Sequence, residues 1–282
     1  LASLLPERSI SYLWYADRVF EFPLGIVAVA VGTAALPSLS GQASVGRYRA
    51  MSVSTAYAMR LVWALAIPAM AGIWLLAPAI IEVLFQRGRF SPQDTAMTAW
   101  ALRAYAFGML GVATTRVLIS VFYALERPRI PVLTASLALV VNAACDIALM
   151  GPPEPGPAWW GGSLVARAGG ILRVADLDHA GLALGTAIAA TVNAVLLFWL
   201  ARRRIGPGVG EGLTGSAVRH AGCAVLMALS VTAWQHAVAD APAWLELTGG
   251  LVIGIAVYLG AALFAGSEEI SRLLGRTVDR AG

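Results

Sequence analysis

Residues 61–81 read LVWALAIPAMAGIWLLAPAII, an unbroken apolar run without an acid or a base. At 1.5 Å per residue a helix over this stretch covers about 31 Å, the thickness of a bilayer's hydrocarbon core. Working outward, 180–201, 221–239 and 247–266 are equally free of charge, while 104–125 carries only Arg116 and 130–150 only Asp146. A further segment, 12–36, carries Asp17, Arg18 and Glu21 and is wholly apolar after them. The chain therefore reads as an all-α, polytopic transmembrane helix bundle of about seven spans. No stretch alternates in the period-two manner of a membrane barrel strand.

Composition agrees. Of 282 residues, 59% are hydrophobic and only 13% charged, against about a quarter charged in ordinary soluble domains. Every basic residue is Arg, and the loops alternate in how many they hold. Arg47, Arg49, Arg127, Arg129, Arg202, Arg203, Arg204, Arg219, Arg272, Arg276 and Arg280 share one side; Arg8, Arg87, Arg89, Arg167 and Arg173 fall on the other. The positive-inside rule then places the C-terminus in the cytoplasm and 151–178 outside. The net charge of +4 belongs to this bias, since no aromatic-basic ladder or other nucleic-acid motif is present. Leu1–Ile10 has neither the basic start nor the apolar core of a signal peptide, and the chain begins without Met, so it is expected to continue a longer protein.

Inside a membrane, charge marks function or a structural pair. A central Arg or Asp costs about 2.5–3.5 kcal/mol to insert and usually faces a bundle interior or a wet cavity. In YADRVFEFP (15–23), Asp17 and Glu21 are spaced i,i+4 and Arg18 and Glu21 i,i+3, so the three share a sector of one helix. They can form the charged wall of a water-filled cavity, with Arg18 as an anion ligand, or a self-neutralised cluster. Arg116 can join Arg18 on a pyrophosphate, or snorkel or pair structurally. Asn142 and Asp146, also i,i+4, offer oxygens that Thr186 of the next span could complete into a site for a hard cation; the alternative is an interhelical hydrogen-bonded clamp. Cys145 and Cys223 lie in spans and read as packing residues. His179, His220 and His236 have no metal-ligand spacing, and no catalytic motif stands out, so the chain is not expected to be an enzyme.

At YADRVFEFPLGIVAVAVGTAALPSLS (15–40) the sequence resembles the eighth helix of the MurJ/MviN lipid II flippases of the MOP transporter superfamily. FQRGRF (85–90) with Asp94, FYALERPRIPV (122–132) and HAGLALGTAIAATVNAVLLFWLARRR (179–204) resemble further family motifs in order. Glu126-Arg127-Pro128 departs from the family's usual stretch, and 151–178 is longer than expected. The resemblance implies the second lobe of a MOP-type transporter plus two extra helices. Residues 1–204 would be the core helices, and 205–282 two additional helices forming a lipid-tail groove, with a cytoplasmic tail. It implies inner-membrane location, with lipid II, the lipid-linked pyrophosphate precursor of peptidoglycan, moved between leaflets by alternating access. Partners would be that precursor, membrane lipids and the missing N-terminal lobe. Asp17, Arg18 and Glu21 fall on charged cavity positions of the family, and Arg116 where a basic residue is common. No cofactor is expected, apart from a monovalent coupling cation should the Asn142, Asp146 and Thr186 set bind one. The alternatives are a polysaccharide-lipid flippase or drug antiporter of the same superfamily, or a truncated, non-transporting membrane scaffold.

Overall fold

The computed structural model describes residue 5 and residues 8–34, 36–151 and 174–275, with no side chains at 27–37. Among the described residues the α-helices are, in chain order, α1 (Ser9–Ala34), α2 (Leu36–Ser44), α3 (Tyr48–Phe85), α4 (Pro92–Ala106), α5 (Met109–Ala124), α6 (Arg129–Leu149), α7 (Asp178–Ile205), α8 (Leu213–Ala237), α9 (Ala243–Phe264) and α10 (Glu268–Leu273). No strand is present among the described residues; the only β feature is an isolated bridge between Met150 and Asp176. Among the described residues, five helices are long and apolar enough to cross a membrane, and six if α4 and α5 count as one bent span. By length α1 adds another, its 26 residues reaching about 39 Å. It falls short on composition alone, because Asp17, Arg18 and Glu21 occupy its middle.

The expected span at 104–125 needs correction. Instead of one helix starting at residue 104, the chain enters at Pro92 and bends by 46° between α4 and α5. The cause lies in the packing against α7. A Cβ on Gly108 would lie 2.7 Å from Ala187 Cα, and one on Gly111 2.9 Å from Thr191 Cα. Small residues here let two backbones touch, which replaces the hydrophobic drive that helices lack inside lipid. Hydropathy cannot see such a bend, because both arms are equally apolar.

Long α3 is the hub. Its buried face, including Met51, Met59, Val62, Ala66, Ile73, Ala77 and Ile81, joins α1, α4, α5 and α7 in the main core. A second cluster, Ala64 and Leu76 with Cys223, Met227, Val231, Tyr258, Ala262 and Ile270, docks α8, α9 and α10 onto another side of α3. Helix α6 touches chiefly α7. There Gly181 meets the carbonyl of Leu149 and Gly185 the carboxylate of Asp146, with no room for a Cβ at either position. Gly181 and Gly185, one turn apart, thus let α7 approach α6 closely, and Gly250 does the same against Leu76. Elsewhere α6 exposes Val132, Leu133, Leu137, Leu139 and Val140, as a lipid-facing helix should.

Both ends of the bundle are tied by buried polar groups. Where α1 and α4 begin, Asp94 accepts from Arg8 Nη1 at 3.0 Å, Tyr12 Oη at 2.8 Å, and Ser91 N and Oγ at 2.8 Å each. Ser91 and Asp94 form the reciprocal cap of α4. At the opposite end, fully buried His220 bonds Tyr258 Oη through Nδ1 at 2.7 Å, and its Nε2 lies 3.7 Å from Glu269. Glu269 also lies 3.5 Å from Arg60 and 3.9 Å from Arg219, and accepts from Ser267 at 3.0 Å. This knot joins α3, α8, α9 and α10. His220 leads the groups that lower the Glu269 carboxyl to about 2.

Candidate functional site

The charged sector of α1 forms as its spacing requires. Arg18 Nη1 and Glu21 Oε2 pair at 3.1 Å, and the Arg18 guanidinium lies over Trp14 at 5.4 Å. Arg18 and Glu21 nevertheless keep more than half of their side chains open, at 57% and 54% exposed. Asp17, one step around the helix, is half-buried. Ser11, Trp14, Arg18 and Glu21 follow at intervals of three and four, and all are exposed. They draw a single stripe along α1 on the side away from the core. The opposite face supplies Ala16, Phe20 and Leu24 to the interior.

Arg116 approaches the same helix, but its described bond is not with the acids. Its Nη1 donates to the carbonyl of Leu24 at 3.4 Å, six residues beyond Arg18. The structure thus brings Arg116 to α1 about 9 Å along the axis from Arg18, at 1.5 Å per residue. A hydrogen-bonded arginine on a backbone carbonyl braces α5 against α1, and a guanidinium carries further donors besides.

The second candidate trio assembles across α6 and α7. Asn142 Nδ2 lies 3.3 Å from both Asp146 Oδ1 and Thr186 Oγ1, and Thr186 donates to the Leu182 carbonyl at 3.0 Å. Asp146 is buried at 8% exposure, and no arginine among the described residues pairs with it. In this arrangement the three side chains act as an interhelical clamp. Rotating the Asn142 amide by half a turn would present its oxygen beside those of Asp146 and Thr186, which is the donor set of a hard monovalent cation. No cluster of three or more His, Cys, Asp or Glu suited to a metal occurs among the described residues.

Two polar constellations escaped the reading of the sequence. Arg60 meets Glu269 across 209 residues. Asp94 joins Arg8 and Tyr12 from more than eighty residues away. One signal was visible: Arg60, Arg219, His220, Tyr258 and Glu269 all fall near the same end of their spans. What spacing cannot give is which helices are neighbours. The 152–173 stretch of the long loop after α6 lies outside the described residues.

Against known proteins, the family model "Lipid II flippase MurJ" matches residues 1–247. A "Probable lipid II flippase MurJ" of Bdellovibrio bacteriovorus is 33% identical over 96% of this chain and 48% of its own length. One of Vibrio cholerae is 29% identical over 94% of this chain and 47% of its own. A solved structure titled "Lipid II flippase MurJ, inward closed conformation" superposes with a TM-score of 0.69 at 22% identity, covering 96% of this chain and 49% of that one. The chain thus spans about half the length of the relatives it matches, and the fold it shares with the solved structure is that of this half. An all-α, multi-pass bundle with the family's motifs in order, matched over nearly its whole length, belongs to the MurJ family.

Proposed function

We propose that this chain is the second lobe of a lipid II flippase of the inner membrane. In this reading it helps carry the lipid-linked precursor from the inner to the outer leaflet by alternating access. The observation that carries the reading is the α1 stripe. A membrane-length helix keeps an arginine and a glutamate open on the face that its own core leaves uncovered. Charges so placed need water or a second protein wall, and a partner lobe closing over that stripe would make a wet, charged cavity. Arg18 then offers planar, bidentate donors to a pyrophosphate, Glu21 orients it, and Asp17 limits the net charge. Arg116, braced on Leu24, supplies a second cation deeper along α1.

The last two long helices carry the tail in this reading. Helices α8 and α9 dock on α3 through their own small apolar cluster and expose Val225, Leu226, Leu229, Val252 and Ile255. Such a surface suits a polyprenyl chain in lipid. The Asn142, Asp146 and Thr186 set is the candidate for a monovalent coupling cation. The arginine asymmetry supports a cytoplasmic C-terminus. A chimera tests the proposal: this chain replaces the second half of the Bdellovibrio relative and is expressed in a flippase-depleted strain. Growth is expected to be restored. Lysis at normal membrane abundance of the chimera would refute the assignment.

A further inference from the structure

A cavity of about 580 Å³ opens at the end of the bundle where α1 begins, lined by Arg8, Tyr12, Tyr15, Phe90, Arg87 and Arg89 among others. Its floor is a three-ring cluster: Tyr15 lies 4.8 Å from Phe85 and 5.5 Å from Phe90, with Phe85 and Phe90 at 6.3 Å. Its rim is the turn after α3, where Gly88 takes φ +62°, a conformation glycine adopts without strain, and so sets Arg87 and Arg89 on either side. Arg8 meets the Asp94 carboxylate through Nη1, and its side chain stays 56% exposed. Arg89 makes no ion pair or hydrogen bond among the described residues. With Asp94 ionised, the lining carries three cations against one anion.

This placement runs against the charge bias of the chain. The basic loops lie at the other end, and three of the five arginines on this side converge on one cavity. Topology alone would keep that end poor in arginine. The cavity is also joined to the α1 stripe. Ser11 lines it, Trp14 meets Tyr15 edge-on at 5.1 Å, and Arg18 lies over Trp14. Arg18 therefore lies less than one helical turn beyond Tyr15, and about two turns from Ser11 along one continuous face.

We propose that this cavity is a second anion site, one that takes a phosphate-bearing group at the membrane surface, with Arg87, Arg89 and the exposed edge of Arg8 as ligands. The aromatic floor takes the apolar or pyranose body attached to the phosphate. Placing the site on the exit route from Arg18 rests on the flippase reading; the binding itself does not. Two sources share the chemistry, a bulk phospholipid headgroup and a pyrophosphate, free or polyprenyl-linked.

The test is calorimetric titration of inorganic pyrophosphate into the protein in phosphatidylcholine nanodiscs. It is repeated with the Arg87→Gln/Arg89→Gln double variant and with Arg18→Gln. Both loop positions are exposed, so the double variant should fold; matched thermal unfolding confirms it. At least tenfold weaker binding is expected in the double variant, with Arg18→Gln retaining this site within twofold. Nanodiscs containing phosphatidylglycerol separate the sources: loss of pyrophosphate binding there assigns the site to bulk lipid headgroups, and retention assigns it to pyrophosphates. Undiminished binding in the double variant, or no binding to the wild type in either membrane, would overturn the proposal. Loss of transport in Arg18→Gln with this binding intact bears on the flippase reading alone.

Discussion

Arg18 meets Glu21 at 3.1 Å and covers Trp14, yet 57% of its side chain stays open on a helix long enough to cross the bilayer. An exposed ion pair contributes at most about 1 kcal/mol, so folding does not depend on it, and its removal should read out in function. Arg18→Ala is expected to abolish or severely reduce complementation of a flippase-depleted strain at unchanged membrane abundance. Arg18→Lys keeps the charge and loses the planar fork, so it should fall between the two. Asp146→Asn is expected to remove ion dependence of transport while leaving insertion intact. Equal ion dependence in that variant and the parent would leave Asn142 and Asp146 as a clamp alone. Glu269 acts on stability instead. Its carboxyl is lowered from 4.5 to about 2 in the fold, so the stabilisation is complete above the ordinary value and fades as pH falls from about 4.5 towards about 2. Glu269→Gln should flatten that acid limb in thermal unfolding of the detergent-solubilised protein. Removing one partner of a buried pair should also cost on the order of 3 kcal/mol at neutral pH.

Single-helix relations were legible before the structure, and cross-helix ones were not. The i,i+3 and i,i+4 spacings place Arg18 with Glu21 and Asn142 with Asp146, because one helix fixes those distances by itself. Thr186 could be named as well, since 130–150 and 180–201 are successive apolar runs. The partners of Asp94, Glu269 and Arg116 depend on which helices touch, and nothing local encodes that.

At the scale of the elements, the limits of hydropathy follow the same logic. Apolar runs locate α3, α6, α7, α8 and α9, because a bilayer demands both length and freedom from charge. They do not show that α3 begins at Tyr48, well before its apolar run, or that α4 and α5 meet at 46°. The bend depends on backbone contact with α7 through Gly108 and Gly111. Gly111→Leu should therefore separate α5 from α7, at a cost of about 1–3 kcal/mol. The measurement is the midpoint of thermal unfolding in detergent. Gly222→Ala, where no atom lies within 4 Å of the added Cβ, should leave that midpoint unchanged or raise it slightly. Equal effects at the two positions would mean that close helix approach is not what sets the bend.

For the whole molecule, the bundle has two polar ends and an apolar belt, and its arginines are unevenly divided between those ends. This asymmetry predicts the orientation. In a background without Cys145 and Cys223, a cysteine placed at Gly210 should react only after the inner membrane is opened. One at Ala241, between α8 and α9, should react in intact spheroplasts. The opposite pattern would invert the bundle and place the α1 cavity in the cytoplasm. On the proposed reading, the stripe on α1 faces a second lobe, and transport is the work of both lobes together. Outward exposure of the precursor tests this most directly. In cells that depend on the Bdellovibrio chimera carrying this chain, the lipid-linked precursor is challenged with a membrane-impermeant enzyme that cleaves only its outward-facing form. Most of the precursor is predicted to be cleaved, and the Arg18→Ala chimera to shield it. A precursor that stays protected in the unmutated chimera, or that is cleaved equally in both, would contradict the account.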